Sequence, residues 1–417
     1  MSAILNKLLK GQNVEWLRIA EVGELVRGNG LQKSDFTESG VPAIHYGQIY
    51  TFYGNSTTET KSFVSPELAE KLRKVNKGDV VITNTSENLE DVGKALLYLG
   101  EKQAVTGGHA TIFRPGEKIL GKYFVYFTQS DFFASEKRKY AKGTKVIDVS
   151  ATDMAKILIA IPPLDVQAEI VRILDAFTAV TAELTAELTA ELNMREKQYQ
   201  YYRNKLLSFS EAGIETDSNR QQQTALCEGL ANNVKQNHQI IWKSLGEVVK
   251  MQAGKNIKAS QIHPSQTDEN LYPCFGGNGI RGYVNNLSHQ GEYVIIGRQG
   301  ALCGNVQRVK GNFYATEHAV VVTVSDLIDV DWAYHMLSFM NLNQYASKSA
   351  QPGLAVGKLE QLEIPVPNLS EQKRVAKILD KLDTITHSIT EGLPKEINLR
   401  QRQYEYYREQ LIDFPKN

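Results

Sequence analysis

Cysteine is scarce in this chain of 417 residues: Cys227, Cys274 and Cys303 are an odd number at wide spacing, with no Cys-x-x-Cys pair. That excludes a disulfide framework and a clustered zinc site. Long hydrophobic runs are also missing. No stretch reaches the roughly 18 apolar residues of a membrane span, and the opening MSAILNKLLKGQ lacks the apolar core of a secretory leader. Net charge is zero, 47 Lys+Arg against 47 Asp+Glu, which excludes a polybasic coat protein and an acidic disordered tail. What remains is a reduced, cytoplasmic, multi-domain protein with 42% hydrophobic and 23% charged residues. At about 150 residues per domain, two or three domains are expected.

The chain contains itself twice. Offset by 205, residues 159–209 fall on 364–414 without a gap, and 20 of the 51 positions are identical. The matches include Pro162/Pro367, Gln167/Gln372, Ile173-Leu174-Asp175 with Ile378-Leu379-Asp380, and Tyr201-Tyr202-Arg203 with Tyr406-Tyr407-Arg408. A weaker repeat at offset 226 sets Trp16, Glu21, Val22, Gly28 and Ser34 on Trp242, Glu247, Val248, Gly254 and Ser260. Further along, VTGGHAT and YATEHAV place His109 opposite His318. The order is globular, helical, globular, helical. Asn6-Lys7-Leu8-Leu9 echoes Asn204-Lys205-Leu206-Leu207, as if the repeat were circular and the N-terminal segment docked near a helical end.

In 166–209 the apolar positions Val166, Ile170, Ile173, Phe177, Val180, Leu184, Leu188, Leu192, Tyr199, Tyr202, Leu206 and Phe209 follow 3-4 spacings around a central run of fours. Such a stripe is the seam of a coiled coil and needs a partner to cover it. The partner is 375–414, probed for continuity by Gly392-Leu393-Pro394, which should kink or split it. The expected fold is therefore α+β: two pseudo-repeated mixed α/β domains separated by two long helices packed as an antiparallel coiled coil. Asp165 and Asn368 are the expected helix N-caps. The Tyr pairs 199/202 and 404/407 belong to the seam. Thr181-Ala182-Glu183-Leu184 recurs at 185–188 and 189–192. It reads either as plain helix-forming sequence or as a length-setting element, each unit adding about 6 Å. The expected domains are 1–158 and 241–361 (globular), 159–209 and 362–417 (helical), and a polar linker over 210–240. The globular halves mix short strands (79–83, 293–297, 319–324) with helical stretches (121–135, 331–346).

The two helical repeats (IPPLDVQAEIVRILDAFTAV…QYQYYRNKLLSF and IPVPNLSEQKRVAKILDKLD…QYEYYREQLIDF) and the tryptophan-led start of each globular half resemble the specificity subunit of type I restriction–modification systems, across essentially the whole chain. The three TAEL units resemble the subgroup whose helical spacer carries short tandem repeats. The resemblance implies a noncatalytic subunit with two target-recognition domains, each reading half of a split double-stranded DNA site in the major groove. It also implies that the helices act as a ruler and bind two adenine-N6 methyltransferase subunits, with a translocating restriction subunit as an optional third partner. No cofactor or metal is expected on this chain; S-adenosylmethionine, ATP and magnesium belong to those partners. Leu174, Phe177, Leu184, Leu188, Leu192, Tyr202, Leu379, Leu382 and Tyr407 are the ruler or subunit-interface residues.

The residues themselves agree with this reading. Because the halves differ, the target should be asymmetric. Residues 161–213 carry 5 Lys/Arg and 8 Asp/Glu, a poor phosphate surface and a better protein interface. Lys137, Arg138, Lys139, Lys142 and Lys145 instead form a basic cluster suited to a DNA backbone. The segment Ile296-Gly297-Arg298-Gln299-Gly300 puts two base-reading side chains after a strand: Arg pairs with guanine O6/N7 and Gln with adenine N6/N7. Asn84, Thr85 and Ser86 hold the similar post-strand position in the first half. Asn278, Arg281, Lys255, Lys258 and Lys348 are further DNA-contact candidates, with a solvated surface as the alternative for each. Phe275–Gly279 fits F-x-G-x-G, a methyl-donor pattern, but turn residues rather than a helix follow, so a glycine loop close to DNA or a plain turn is expected. His109 and His318 are expected to share a structural hydrogen bond in the core.

Two competing readings are a coiled-coil adaptor without its own DNA specificity and an enzyme with a cryptic methyltransferase or nuclease site. The sequence has no N/D-P-P-F/Y tetrapeptide, no G-x-x-x-x-G-K-S/T loop and no paired-carboxylate nuclease pattern.

Overall fold

The computed structural model describes residues 2–209, 240–300, 302–348, 351–388 and 391–415. The linker expected over 210–240, apart from its last residue, and Cys227 lie outside the described residues. The described chain forms two compact units: 1–187 with 397–417, and 188–396. No helix among the described residues is long and apolar enough to cross a membrane.

Each unit is built on the same frame. In unit one, Glu15–Arg18 pairs antiparallel with Leu158–Ile161, setting Trp16 against Ala160. In unit two, Ile241–Ser244 pairs with Glu363–Val366, setting Trp242 against Pro365. Next comes a mainly antiparallel sheet with one parallel pair, Ala95–Tyr98 with Ser56–Thr57 in unit one and Tyr272–Gly276 with Val306–Ala315 in unit two. Unit one orders it Gly23–Arg27, Ala110–Pro115, Val80–Thr83, Ala95–Tyr98, Ser56–Thr57. Unit two begins with the corresponding strands Val249–Ala253, Ala319–Val324, His289–Gly297 and Val306–Ala315, then adds the hairpin Tyr272–Gly276 and Gly279–Val284. The aligned glycines Gly28 and Gly254 explain their own recurrence. A Cβ on either would lie 2.1 or 2.2 Å from a carbonyl oxygen just ahead of the second strand, Gly107 in the turn or Ala315 at the end of the preceding strand. Among the described residues, unit one alone carries a second five-stranded sheet centred on Val41–Ile44, which accounts for its extra length.

The expected helix over 121–135 is two helices, Gly121–Phe127 and Asp131–Tyr140, because Ser130 caps the second by accepting from Phe133 N. The aromatic first helix is buried along most of its length. The stretch 331–346 is the helix Val330–Phe339 followed by the short 3-10 turn Leu342–Tyr345.

The helix Leu164–Leu207 runs 44 residues without a break. Asn368 caps Leu369–His387, accepting from Glu371 N. Asp165 lies inside its helix rather than at the cap, since Gln167 N already bonds to Pro163 O. The second helical segment is split as Gly392-Leu393-Pro394 requires: Leu369–His387 ends and Gly392–Ile412 begins. Gly392 takes φ +77°, and a Cβ there would meet the Thr384 and Ile385 carbonyls, so the corner needs glycine.

Within unit one, the first half of the long helix runs antiparallel to Gly392–Ile412. Leu174 is buried in the core cluster that holds Leu411 and Ile412, Phe177 stacks on Tyr407 at 5.4 Å, and Thr178 shares a hydrogen bond with Tyr404. The N-terminal helix Ala3–Leu9 joins this end, with Leu5 and Leu9 in the same core and Ser2 Oγ donating to the Gln410 carbonyl. Within unit two, the second half runs antiparallel to Leu369–His387: Tyr199 packs on His387, and Leu207 shares a core with Val375 and Leu379. Tyr202, Leu188, Leu192 and Leu382 are half-buried.

The middle of the expected seam is different. Val180 and Leu184 are 52% and 37% exposed, and Phe177 keeps 37% exposed beside Tyr407. Thr178, Thr181 and Thr185 are the half-buried positions instead, continued by Leu188 and Leu192, while Thr189 is exposed. The cause is the repeat length. Four residues turn an α-helix by about 40° beyond a full turn, so the leucine column walks from the outer face into the seam as the threonine column walks out.

Two matched pairs join each sheet domain to its helix. Gln167 and Gln372 are both fully buried. Gln167 donates to Lys118 O and Pro162 O and accepts from Leu120 N. Gln372 donates to Leu327 O and Pro367 O and accepts from Asp329 N. Further along, Tyr126 donates to Asp175, and buried His335 takes the corresponding position against Asp380 at 2.8 Å. Arg308 adds bonds to Asp380 and Asp331 at 2.7 and 2.9 Å. Burial pushes the Asp380 carboxyl up, but His335 and Arg308 outweigh it and hold it at about 2.

Candidate nucleic-acid interface

The strand His289–Gly297 delivers Arg298 and Gln299 to one end of the unit-two sheet. The following backbone is clamped on several sides. Arg298 N donates to His318 O, Leu354 N donates to Arg298 O, and Gly300 N donates to Pro352 O. Gln299 bridges Gly353. The turn of the glycine-rich hairpin closes over it: a Cβ on Gly277 would lie 3.1 Å from Gln299 O and 3.2 Å from His318 O. The F-x-G-x-G sequence is thus a hairpin whose tight turn leads into Gly279 at φ +101°.

This brings several predicted residues together. Arg298 is half-buried and Gln299 exposed. Asn278 is exposed on the hairpin turn, accepting from Asn305 at 3.2 Å, and Arg281 is exposed alongside, its chain against Gly276. Lys255 is exposed and bridges Thr316, two residues before His318. Lys348 is exposed next to Ser347, whose N donates to Gly353 O. Lys258 is exposed at the start of the short turn Ala259–Gln261. Arg281, Arg298, Lys255, Lys258 and Lys348 make no ion pair among the described residues, and Glu317 beside His318 adds a negative charge at this end of the sheet.

Unit one has the same frame with different chemistry. Asn84 N donates to His109 O, and Val149 N donates to Asn84 O, so Asn84 corresponds to Arg298 and Thr85 to Gln299. The strand Thr85–Ser86 pairs with Ile147–Asp148 as Gln299 bridges Gly353. Asn84 is nevertheless fully buried, accepting from Thr111 at 2.8 Å, and Ser86 is buried in that strand pair. Neither reaches a surface, which corrects their assignment as DNA contacts. The surface here belongs to His109, which the sequence placed in the core, and to His45, Tyr46 and Arg27, which it did not single out. His109 is exposed, 3.0 Å from Thr85 Oγ1, with Tyr46 packed on its ring at 5.0 Å and His45 on Tyr46 at 4.5 Å. Arg27 donates to Gly108 O and pairs with Asp148.

The two histidines recur as matched positions, but at the sheet ends rather than in the core. His318 is 40% exposed and 2.8 Å from Gln299 Oε1. Both sit in the turn before a returning strand, where the chain leaves the sheet, so burial was the wrong inference from their match.

In the basic cluster, Lys137 is buried. Its amine donates to Glu90 O and Val92 O, and burial lowers it to about 8. It is a structural amine, not a phosphate contact, because Phe133 and Lys137 share the inward face of their helix one turn apart. Lys139 pairs with Glu136 and Lys142 with Asp153. Arg138 and Lys145 are exposed without an ion pair among the described residues. Among the described residues no group of His, Cys, Asp and Glu is arranged to hold a metal.

A family model described as the type I restriction modification DNA specificity domain matches residues 12–194 and again 241–399. The chain therefore belongs to the type I restriction–modification specificity family. It is 43% identical over 409 residues to the EcoprrI specificity subunit of Escherichia coli, covering 93% of this chain and 92% of that one. It is 31% identical to the EcoR124I/EcoR124II specificity subunit of Escherichia coli, covering 99% and 97%. A chain in a solved structure concerned with assembly and conformational transition of the type I system has the same fold, with TM-score 0.66 at 16% identity over 96% of this chain and 98% of that one.

Proposed function

We propose that this chain is the noncatalytic DNA-specificity subunit of a type I restriction–modification complex acting in the cytoplasm. Each unit reads one half of an asymmetric bipartite site in double-stranded DNA. The helices Leu164–Leu207, Leu369–His387 and Gly392–Ile412 set the gap and bind two methyltransferase subunits. S-adenosylmethionine is the methyltransferases' cofactor, and ATP and magnesium serve a restriction subunit when one joins.

One observation carries the reading: the same backbone frame at the sheet end presents Arg298, Gln299 and His318 in one unit and His109 with Tyr46 in the other. A shared scaffold with different donors and acceptors suits two different half-sites. The exposed Val180 and Leu184 support a helical surface that other subunits cover.

Arg298→Ala in the reconstituted methyltransferase complex is expected to weaken recognition of one half-site by about 1–3 kcal/mol. Competition binding with duplexes altered one base pair at a time measures it. Equal weakening on every duplex would reduce Arg298 to a phosphate contact.

A further inference from the structure

Gln299 has the backbone of a fixed reading residue and the side chain of a flexible one. The clamp through His318 O, Pro352 O, Leu354 N and Gly353 settles its main chain, but a glutamine side chain still has rotational freedom to lose on binding. A free carboxamide donates to guanine O6 or accepts from cytosine N4 as readily as it pairs with adenine. The structure removes that freedom at one atom: His318 Nδ1 lies 2.8 Å from Gln299 Oε1. A carboxamide oxygen only accepts, so Nδ1 carries the proton and donates. The other ring nitrogen, Nε2, lies 3.4 Å from Glu317 Oε1.

We propose that His318 is a positioning residue that fixes the Gln299 carboxamide in the orientation that selects adenine; this rests on the reading of Gln299 as a base contact. Oxygen has a second acceptor site, so Oε1 held by His318 still accepts from adenine N6 while Nε2 donates to N7. Guanine would set its O6 against the held oxygen. The hydrogen bond acts before DNA arrives, which is what preorganisation requires. Unit one repeats the hydrogen bond at His109, where the partner is the buried Thr85 Oγ1 at 3.0 Å. The histidine thus belongs to the shared frame, and its partner is what varies between the units.

The test uses the full chain assembled with its methyltransferase subunits and a panel of duplexes carrying each base at each position of the target. Gln299→Ala is expected to cut the preference for adenine at one position about tenfold. His318→Ala should cut the preference at that same position about as much, while the other positions keep theirs. His318→Asn, whose side-chain amide still donates, should restore it, and the double variant should be no worse than Gln299→Ala alone. A base-selective loss in Gln299→Ala with none in His318→Ala or His318→Asn would overturn the positioning role and leave Gln299 as a reader. A Gln299→Ala variant with an unchanged base profile would overturn the reading of Gln299 and this inference with it.

Discussion

Removing one Thr-Ala-Glu-Leu unit, residues 185–188, is expected to shorten the gap between the two half-sites by one or two base pairs and to abolish methylation of the original site. The helix is unbroken from Leu164 to Leu207, so a deletion inside it cannot be absorbed by a loop. It removes about 6 Å of length, somewhat less than two base steps at 3.4 Å each. The remaining TAEL units keep their order, so both seam halves survive. Leu174 with Leu411 and Tyr199 with His387 lie beyond either end of the deletion. Methylome sequencing of cells carrying the deletion variant with its methyltransferase partner measures the new gap. An unchanged gap would end the role of this helix as a ruler.

Gln372→Ala is expected to be among the most destabilising single substitutions in unit two, and Gln167→Ala in unit one. Each side chain is fully buried and makes three hydrogen bonds to backbone groups. Truncation leaves two carbonyls and one amide N–H without partners, at about 1–3 kcal/mol for each buried group before relaxation. We expect a net loss of about 3–5 kcal/mol, a large share of a typical domain's stability. Gln372→Glu should be similarly damaging, because a carboxylate accepts from Asp329 N but cannot donate to Leu327 O or Pro367 O. Urea unfolding of the full chain measures both. A loss below about 1 kcal/mol would show that the carbonyls find other partners and that the glutamines are not the lock between sheet domain and helix.

The repeat was legible because it is a matter of identity at fixed offsets. Trp16 and Trp242 do occupy the same register position, Gly28 and Gly254 meet the same kind of carbonyl, and one helix ends at His387 and the next starts at Gly392, leaving Pro394 in a first turn where proline is tolerated. What the residues could not show was which way a face turns. The apolar periodicity placed Val180 and Leu184 in the seam, but a four-residue repeat drifts around the helix. Threonine therefore faces the partner for part of its length. Asn84 was placed just after a strand, at a DNA contact, by analogy with Arg298. Its backbone does hold that position, yet Thr111 keeps its side chain inside. Counting charge marked Lys137, though it lies under Val92 rather than on the surface. The aromatic helix Tyr46–Thr51 over the unit-one sheet end had no signal, since nothing in the other half corresponds to it. His109 and His318 were found as a pair and given the wrong setting, which shows how little a matched residue says about burial.

Two units that share a frame but present different side chains at its end are expected to see two different half-sites. Single-molecule methylome sequencing of cells expressing this chain with its cognate methyltransferase subunit tests that directly. The predicted result is one bipartite methylated motif, made of two unlike half-sites separated by a gap of fixed length and free sequence. A palindromic motif, a continuous one, or methylation without sequence preference would contradict it.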